Sequence, residues 1–309
     1  MPSRNQIYRT IVEAQSKACD TVRRTYLKLL SEYTNRDVIL YSSAFLSFKP
    51  GVPAVFISIT NQDIQGFMAS LEGLKKKKLD LILHSPGGSL EAAEQIVKYL
   101  RNKYSHIRAI IPQNAMSAAT MIACACDEIV LGKHSAIGPI DPQITFNTPT
   151  GPFTAPAQSI LDEFEQAKQE IMQNPKDAVL WIKRIDKYPP GFLKMCENTI
   201  QLSKQRVEEW LSSWMFASDE KKHAKAKKIA DWLGSAKYHL THAHPIDIKE
   251  AKSKGLHVIP LENDQKLQEL VLSVFHSTMA THDLTACVKF IENQFGKGYY
   301  INVKSTGTN

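Results

Sequence analysis

Two short stretches of the chain contain the residue types that acyl transfer uses, and each directly follows an apolar run. His84-Ser-Pro-Gly-Gly-Ser89 comes after Leu79–Leu83, and the stretch Pro112–Met121, which contains Ser117, comes after Ile107–Ile111. The double glycine can turn backbone N–H groups toward a ligand oxygen, because glycine tolerates positive φ angles. A serine at a helix start can act as a nucleophile, with the N–H of the next residue as an oxyanion donor.

Each turn has a simpler interpretation when it is taken alone. Gly87 and Gly88 could form an ordinary strand-to-helix turn, or hold a phosphate at the start of the next helix. Ser117 could be only the N-cap of its helix. Acyl transfer requires a nucleophile and oxyanion donors around one carbonyl group, and the two turns together would supply both.

The segments around these turns alternate between strand and helix patterns. From Val52 to Leu131 the chain is predicted to run strand, helix, strand, helix, strand, helix, strand, with Ala54–Ile59 as the first strand. This alternation favours right-handed βαβ units and a mainly parallel sheet with helices on its faces. The two turns would then lie at the same edge of the sheet.

The remainder of the chain is predicted to be mostly helical. A helical stripe covers Arg4–Tyr33, Ser135–Pro156 is predicted to be an ordered loop, and helices follow from Ser159 to Leu233. A further helix and a terminal hairpin end the chain. We divide the chain into four regions: an N-terminal helix (1–35), an α/β core (36–158), a helical region (159–235), and a return to the core with a C-terminal helix and hairpin (236–309).

Composition and charge exclude several classes of protein. The net charge of +7 comes partly from two lysine runs, which lack the interleaved aromatic residues that stack on bases, so we predict no nucleic-acid binding. Five cysteines at irregular spacing do not suggest a disulfide framework and fit a reducing compartment. No apolar run approaches the ~18 residues of a membrane span. The start of the chain has no signal-peptide h-region, so we predict a cytoplasmic protein.

The two turns and their surroundings resemble the Clp/crotonase fold of serine peptidases. Within that group the chain is most similar to the serine dehydrogenase proteinase family, which is related to the Clp protease proteolytic subunit and to signal peptide peptidase A. The shared stretches are Leu79–Gly88, Ala115–Ile122, Asp127–Val130 and Gly138–Gln143, and Asn61–Met68 and Thr241–Ile246 also look similar. The similarity covers most of the chain, from Tyr26 to about Ile259.

This resemblance implies a fold and a set of roles. The fold class is α/β, built of ββα units with a mainly parallel sheet, plus an N-terminal helix and a helical insertion. Ser117 would be the nucleophile, and the backbone N–H groups of Gly87, Gly88 and Ala118 would form the oxyanion hole.

The general base is the missing part of this assignment. The chain has no His, Lys or Arg between Ser135 and Ala167, and the resemblance places Asp141 where the Clp subunit has its histidine. A carboxylate is a poor base for a serine hydroxyl near neutral pH, but it can orient a base. The Clp subunit supplies its orienting aspartate near the equivalent of Tyr238–Pro245, so we predict His242 as the base.

Three other residues are alternative bases. Lys133 and His134 follow the strand after the nucleophile helix, although they could simply be exposed turn residues. His84 lies beside the glycine turn, but strand alternation would turn it away if Ser85 faces the site.

The histidines of the later cluster could instead be metal ligands. His239, His242 and His244 have no Asp, Glu or Cys at suitable spacing in our interpretation, so we predict no metal and no cofactor.

Three functions remain open at this point. The first is a serine peptidase that acts on a peptide or unfolded protein and forms a homo-oligomer. The second is a catalytically inactive oligomeric scaffold or peptide-binding module of the same fold, which the missing base would explain. The third is an acyl-CoA enzyme of the crotonase branch, against which Ser117 argues.

Overall fold

A seven-stranded sheet forms the centre of the computed structural model, which describes residues 3–4, 6–7, 18–148 and 151–303. The strands of this sheet and of two smaller two-stranded sheets are, in chain order, β1 (Asp37–Ser43), β2 (Lys78–His84), β3 (His106–Ile111), β4 (Asn114–Ala115), β5 (Glu128–Leu131), β6 (Ala136–Ile137), β7 (Gln143–Thr148), β8 (Gly151–Pro156), β9 (Val258–Pro260), β10 (Cys287–Asn293) and β11 (Gly298–Asn302). The order in the large sheet is β11, β10, β1, β2, β3, β5, β9. Strands β1, β2, β3, β5 and β9 are parallel, and β10 and β11 are antiparallel additions beside β1.

Helices cover both faces of this sheet and form the region before β9. They are α1 (Ala18–Thr34), α2 (Asp63–Ser70), α3 (Leu90–Arg101), α4 (Ala118–Cys124), α5 (Ala157–Gln173), α6 (Ala178–Ile185), α7 (Phe192–Trp210), α8 (Lys222–Leu233), α9 (Ala236–His239), α10 (Ile248–Lys254) and α11 (Gln265–Leu284). Three 3-10 turns (Ala54–Phe56, Pro175–Asp177, Leu261–Asn263) and a π-helical turn (Leu211–Met215) complete the described elements. In the part of the chain that the structure describes, no helix combines the length and apolar character needed to cross a bilayer.

The core lies in two layers because alternate strand residues point to opposite faces of the sheet. Leu81 and Ala109 face the layer that contains α3 and α4. Ile82 and Ile110 face the other layer, where residues of α1 and α11 cover them. Burial on both faces explains why the parallel strands are continuous apolar runs in the sequence.

Most of the predicted elements are confirmed. The alternation from β2 to β5 and the C-terminal hairpin of β10 and β11 are as predicted, and the α/β fold class with a mainly parallel sheet is confirmed. The helix predicted over Arg4–Tyr33 is confirmed for Ala18–Thr34, and most of its earlier part lies outside the described residues.

Two predictions about local structure are wrong. Ala54–Ile59 is not a strand: Ala54–Phe56 is an exposed 3-10 turn, and only Ile59 makes a bridge. Both edges of β1 are already paired, with β2 and β10, so no edge is open to another strand there. Ser135–Pro156 is not a simple loop either, since it contains β6 and the antiparallel pair β7 and β8. In that pair Phe146 and Phe153 stack edge to face, a cross-strand contact that the Pro, Gly and Thr content of the segment obscured.

Candidate active site

Four separate segments meet along a row of backbone pairings that we call the backbone seam. Ser85 pairs with Ala115, Ala115 with Ile137, and Ile137 with Ile246. The Met116 N–H donates to the Ser85 carbonyl at 3.0 Å, and the Ile246 N–H donates to the Ile137 carbonyl at 2.9 Å. The seam therefore brings the glycine turn, the serine turn, the chain after β6 and the histidine cluster side by side.

Ser117 occupies a backbone conformation that serine rarely adopts. Its φ is 52° and its ψ is −120°, and its side chain makes no capping hydrogen bond to α4. The turn is held by Thr120, whose hydroxyl donates to the Ala115 carbonyl at 2.8 Å and accepts from the Gly138 N–H at 3.0 Å. Conformations of this kind cost about 1–3 kcal/mol and concentrate at functional sites. The N-cap interpretation of Ser117 therefore does not account for its geometry.

The two glycines of the first turn allow its backbone to lie against the serine. Gly87 has φ of 98°, and a Cβ atom there would lie 2.6 Å from the Met116 carbonyl oxygen and 2.7 Å from Ser117 Cβ. Gly88 has φ of 152°, and a Cβ there would lie 2.3 Å from the Ile59 carbonyl oxygen. Both positions therefore exclude any side chain.

Two backbone N–H groups beside Ser117 are available to a ligand oxygen. Ala118 is the first residue of α4, so its N–H has no partner within the helix. Neither the Ala118 N–H nor the Gly88 N–H has an acceptor among the described residues. The Gly87 N–H, which was included in the predicted oxyanion hole, is instead donated to Ser85 Oγ at 3.2 Å. Of the three predicted donors, only Gly88 and Ala118 therefore have N–H groups without an acceptor among the described residues, and the absence of a side chain at Gly87 lets the two turns lie close together.

His242 and Asp141 form a hydrogen-bonded pair, and His242 lines the same cleft as Ser117. His242 Nδ1 lies 2.8 Å from Asp141 Oδ1, and the second carboxylate oxygen accepts from Gln143 Nε2 at 2.8 Å. The Asp141 side chain is 4% exposed, whereas the His242 side chain is 27% exposed. An ionised carboxylate can only accept, so Nδ1 carries the proton of the neutral imidazole and Nε2 presents a lone pair. A histidine in this state can act as a general base.

One cleft contains the predicted nucleophile, base and oxyanion donors. It has a volume of about 440 Å³ and is lined by Ser117, His242, Gly88 and Ala118, with Asp141 behind His242. Its other lining residues include apolar and hydroxyl side chains: Leu90, Met121, Ile140, Ser58, Thr145, Thr199 and Ser203. Sequence reasoning missed Thr199 and Ser203, because nothing in an amphipathic helical pattern indicates that α7 closes over the cleft.

The other candidate bases lie away from this cleft. Lys133 and His134 are exposed residues after β5 and do not line it. His84 is fully buried between the rings of Phe45 and Phe275, and burial lowers its pKa to about 3. The prediction that strand alternation turns His84 away is in accord with this packing.

A larger groove occurs elsewhere but contains none of the predicted site residues. It has a volume of about 630 Å³ and lies between the hairpin of β7 and β8 and the helices α5 and α6. Phe146 and Trp181 are among its lining residues, and no histidine is among them. Its larger volume therefore does not make it the better candidate for catalysis.

Comparison with known proteins gives a match over nearly the whole chain. Residues 11–297 match the family described as ClpP-like SDH-type serine proteinase. Two uncharacterized proteins of Methanocaldococcus jannaschii are each 31% identical to this chain. The first aligns over 248 residues, which are 80% of this chain and 76% of the relative; the second aligns over 209 residues, which are 67% and 61%.

Solved structures with similarity to this chain include two proteases. One is a mutant of the membrane-bound stomatin-specific protease 1510-N, with a TM-score of 0.38, 16% identity, and coverage of 70% of this chain and 79% of that chain. The other is a mutant of ClpP1 from Listeria monocytogenes, with a TM-score of 0.35, 11% identity, and coverage of 78% and 99%. The scores are low, so the assignment to a family comes from the sequence match.

Proposed function

The chain belongs to the ClpP-like SDH-type serine proteinase family, and on that premise we propose that it hydrolyses peptide bonds through an acyl-enzyme on Ser117. The observation that supports this most strongly is the pairing of His242 with buried Asp141 in the cleft that contains Ser117, a serine with a positive φ angle. Without that pair, the lack of basic residues between Ser135 and Ala167 would favour an inactive scaffold.

In the proposed reaction His242 acts first as a base and then as an acid. Its Nε2 takes the proton of Ser117 Oγ as that oxygen bonds to the carbonyl carbon of the scissile peptide. The Asp141 carboxylate stabilises the imidazolium and keeps Nδ1 protonated. His242 then gives its proton to the leaving amine, the C–N bond breaks, and water attacks the acyl-enzyme by the same route.

The oxyanion of each tetrahedral intermediate would bind to the N–H groups of Gly88 and Ala118. These donors are backbone atoms in a fixed turn, so they require no rearrangement as the charge develops. Removal of one such donor typically costs about 10²–10³ in kcat. Because both are main-chain groups, substitutions act on them only through the backbone conformation.

A fluorophosphonate probe tests the nucleophile directly. We expect the wild-type protein to be labelled on Ser117 and Ser117→Ala to remain unlabelled. Ser58→Ala is the matched control, because Ser58 lines the same cleft but its hydroxyl is donated to the Ala54 carbonyl. Equal labelling of wild type and Ser117→Ala would refute the assignment. Release of peptides from an unfolded protein such as casein tests the reaction itself.

The partners predicted from the resemblance belong to the same proposal. We propose a peptide or an unfolded protein segment as substrate and a homo-oligomer as the working form. The cleft is compatible with such a substrate, since both hydroxyl and apolar side chains line it. Sedimentation velocity of the purified protein measures the oligomeric state. A monomer at micromolar concentration would contradict the proposed homo-oligomer.

A further inference from the structure

Three potential metal ligands meet beside the turn that carries His242. His239, His244 and Glu250 each offer one ligand atom, and these atoms lie within 4.8 Å of one another. The sequence interpretation discounted a metal here for want of a carboxylate at suitable spacing. The fold supplies one, because α10 places Glu250 with its Oε2 3.1 Å from His244 Nε2. None of the three residues lines the catalytic cleft.

His239 is held in a state that can ligate a metal. Its Nε2 lies 2.9 Å from the Trp232 carbonyl oxygen, which can only accept, so Nε2 carries the proton. Its Nδ1 therefore presents a lone pair, yet this atom is buried and has no partner among the described residues. A metal-binding histidine almost always donates its other ring N–H to a carbonyl or carboxylate in this way. A buried acceptor without a partner is destabilising, and a bound ligand would offset that cost.

The other two ligands have the spacing and support that a metal site requires. Ligand atoms at about 2.0–2.2 Å from one tetrahedral ion lie about 3.3 Å apart, close to the observed separation of His244 from Glu250. Asp247 caps α10 by accepting from the Glu250 N–H at 2.8 Å, which fixes the backbone that carries the carboxylate. Leu240, between the two histidines, has φ of 62° and is 87% exposed, so the connecting turn is strained rather than packed.

We propose that His239, His244 and Glu250 bind one divalent transition-metal ion, and that the ion is zinc. Two imidazoles and a carboxylate suit Zn²⁺, with water in the fourth position. The ion would join the two ends of the turn from His239 to His244 and tie that turn to α10. Because His242 lies within this turn, the metal would fix the position of the base without touching the substrate.

Titration of the full-length protein with zinc alone tests this proposal. The Ser117→Ala variant is used as background, so that binding is measured independently of any peptidase activity. After dialysis against a chelator, calorimetric titration with ZnCl₂ is expected to show one tight equivalent, and CoCl₂ is expected to give the visible absorption of tetrahedral Co²⁺. Loss of an outer-shell hydrogen-bond partner typically lowers metal affinity by about 10–100-fold. Removal of a ligand should lower the affinity for zinc by at least as much.

Variants of the half-exposed ligands and of a remote histidine complete the test. Glu250→Gln and His244→Ala should each lose the tight binding of one equivalent of Zn²⁺. Thermal melting without metal checks that both variants fold. His223→Ala is the matched control, since His223 is an exposed histidine of α8 outside the cluster, and it should bind as the background does. Absence of a tight equivalent, or tight binding that both ligand variants retain, would overturn the proposal.

Discussion

Replacement of Asp141 by asparagine should inactivate the site through the histidine tautomer. The Gln143 amide N–H is donated to Asp141 Oδ2 at 2.8 Å and also approaches the Asp141 backbone carbonyl at 3.4 Å. In Asp141→Asn the new amide must present its oxygen to this donor, so its NH₂ group faces His242 Nδ1. That nitrogen must then accept, and the imidazole proton moves to Nε2. The lone pair that would deprotonate Ser117 is lost.

The expected loss is large because the change would remove the proposed base rather than weaken it. The same substitution in Ser-His-Asp triads lowers kcat by about 10⁴-fold, which corresponds to about 5.4 kcal/mol in the activation barrier. We expect a loss of that order in peptide hydrolysis by Asp141→Asn. Urea denaturation should show a folded protein, since the amide has nearly the shape of the carboxylate.

A second substitution tests the tautomer argument itself. In Asp141→Asn with Gln143→Leu, the asparagine no longer faces a donor and can turn its oxygen toward His242 Nδ1. We expect this double variant to recover a measurable part of the activity, judged against Gln143→Leu alone. The reasoning is refuted if Asp141→Asn hydrolyses peptides as fast as the wild type while Ser117→Ala does not.

Two further predictions concern the glycine turn and pH. Gly87→Ala should lower the rate of fluorophosphonate labelling by about 10²-fold or more, because its Cβ would lie 2.6 Å from the Met116 carbonyl oxygen and displace the serine turn. Gly51→Ala is the control for backbone strain alone, because Gly51 has a φ of 78° with open space around it. Equal losses in the two variants would contradict the steric argument. Burial lowers the pKa of His84 to about 3, below the value of about 6.5 in the unfolded chain. Between these two pH values His84 is protonated only in the unfolded state. The free energy of unfolding therefore falls as the pH drops from about 6.5 toward 3. Since one such group contributes up to about 1.4 kcal/mol per pH unit, His84→Leu should flatten the urea-denaturation profile between pH 7.5 and 5, and an unchanged slope would refute this.

The local sequence predicted the two turns that carry the glycines and Ser117 in the candidate site. A strand, a double glycine and a helix start specify a turn with free N–H groups, and Ser117 follows a second strand in the same way. The backbone strain at Ser117 was not predictable, because it depends on the close approach of Gly87 from another segment.

Contacts between distant segments explain what sequence reasoning missed. Asp141 and His242 could each be named from the resemblance, but their hydrogen bond depends on Ile137 pairing with Ile246 along the backbone seam. The incorrect strand at Ala54–Ile59 has a similar origin, since propensity does not reveal that β1 already has two neighbours.

The backbone seam also has a consequence for biosynthesis. If the proposed roles are correct, the nucleophile and its donors leave the ribosome long before His242 does, because the histidine turn is synthesised after the whole helical region. A nascent chain that has folded only as far as β5 would hold Ser117 without its base. The pairing of Ile137 with Ile246, which brings the histidine turn to the backbone seam, can form only after the helical region has been synthesised.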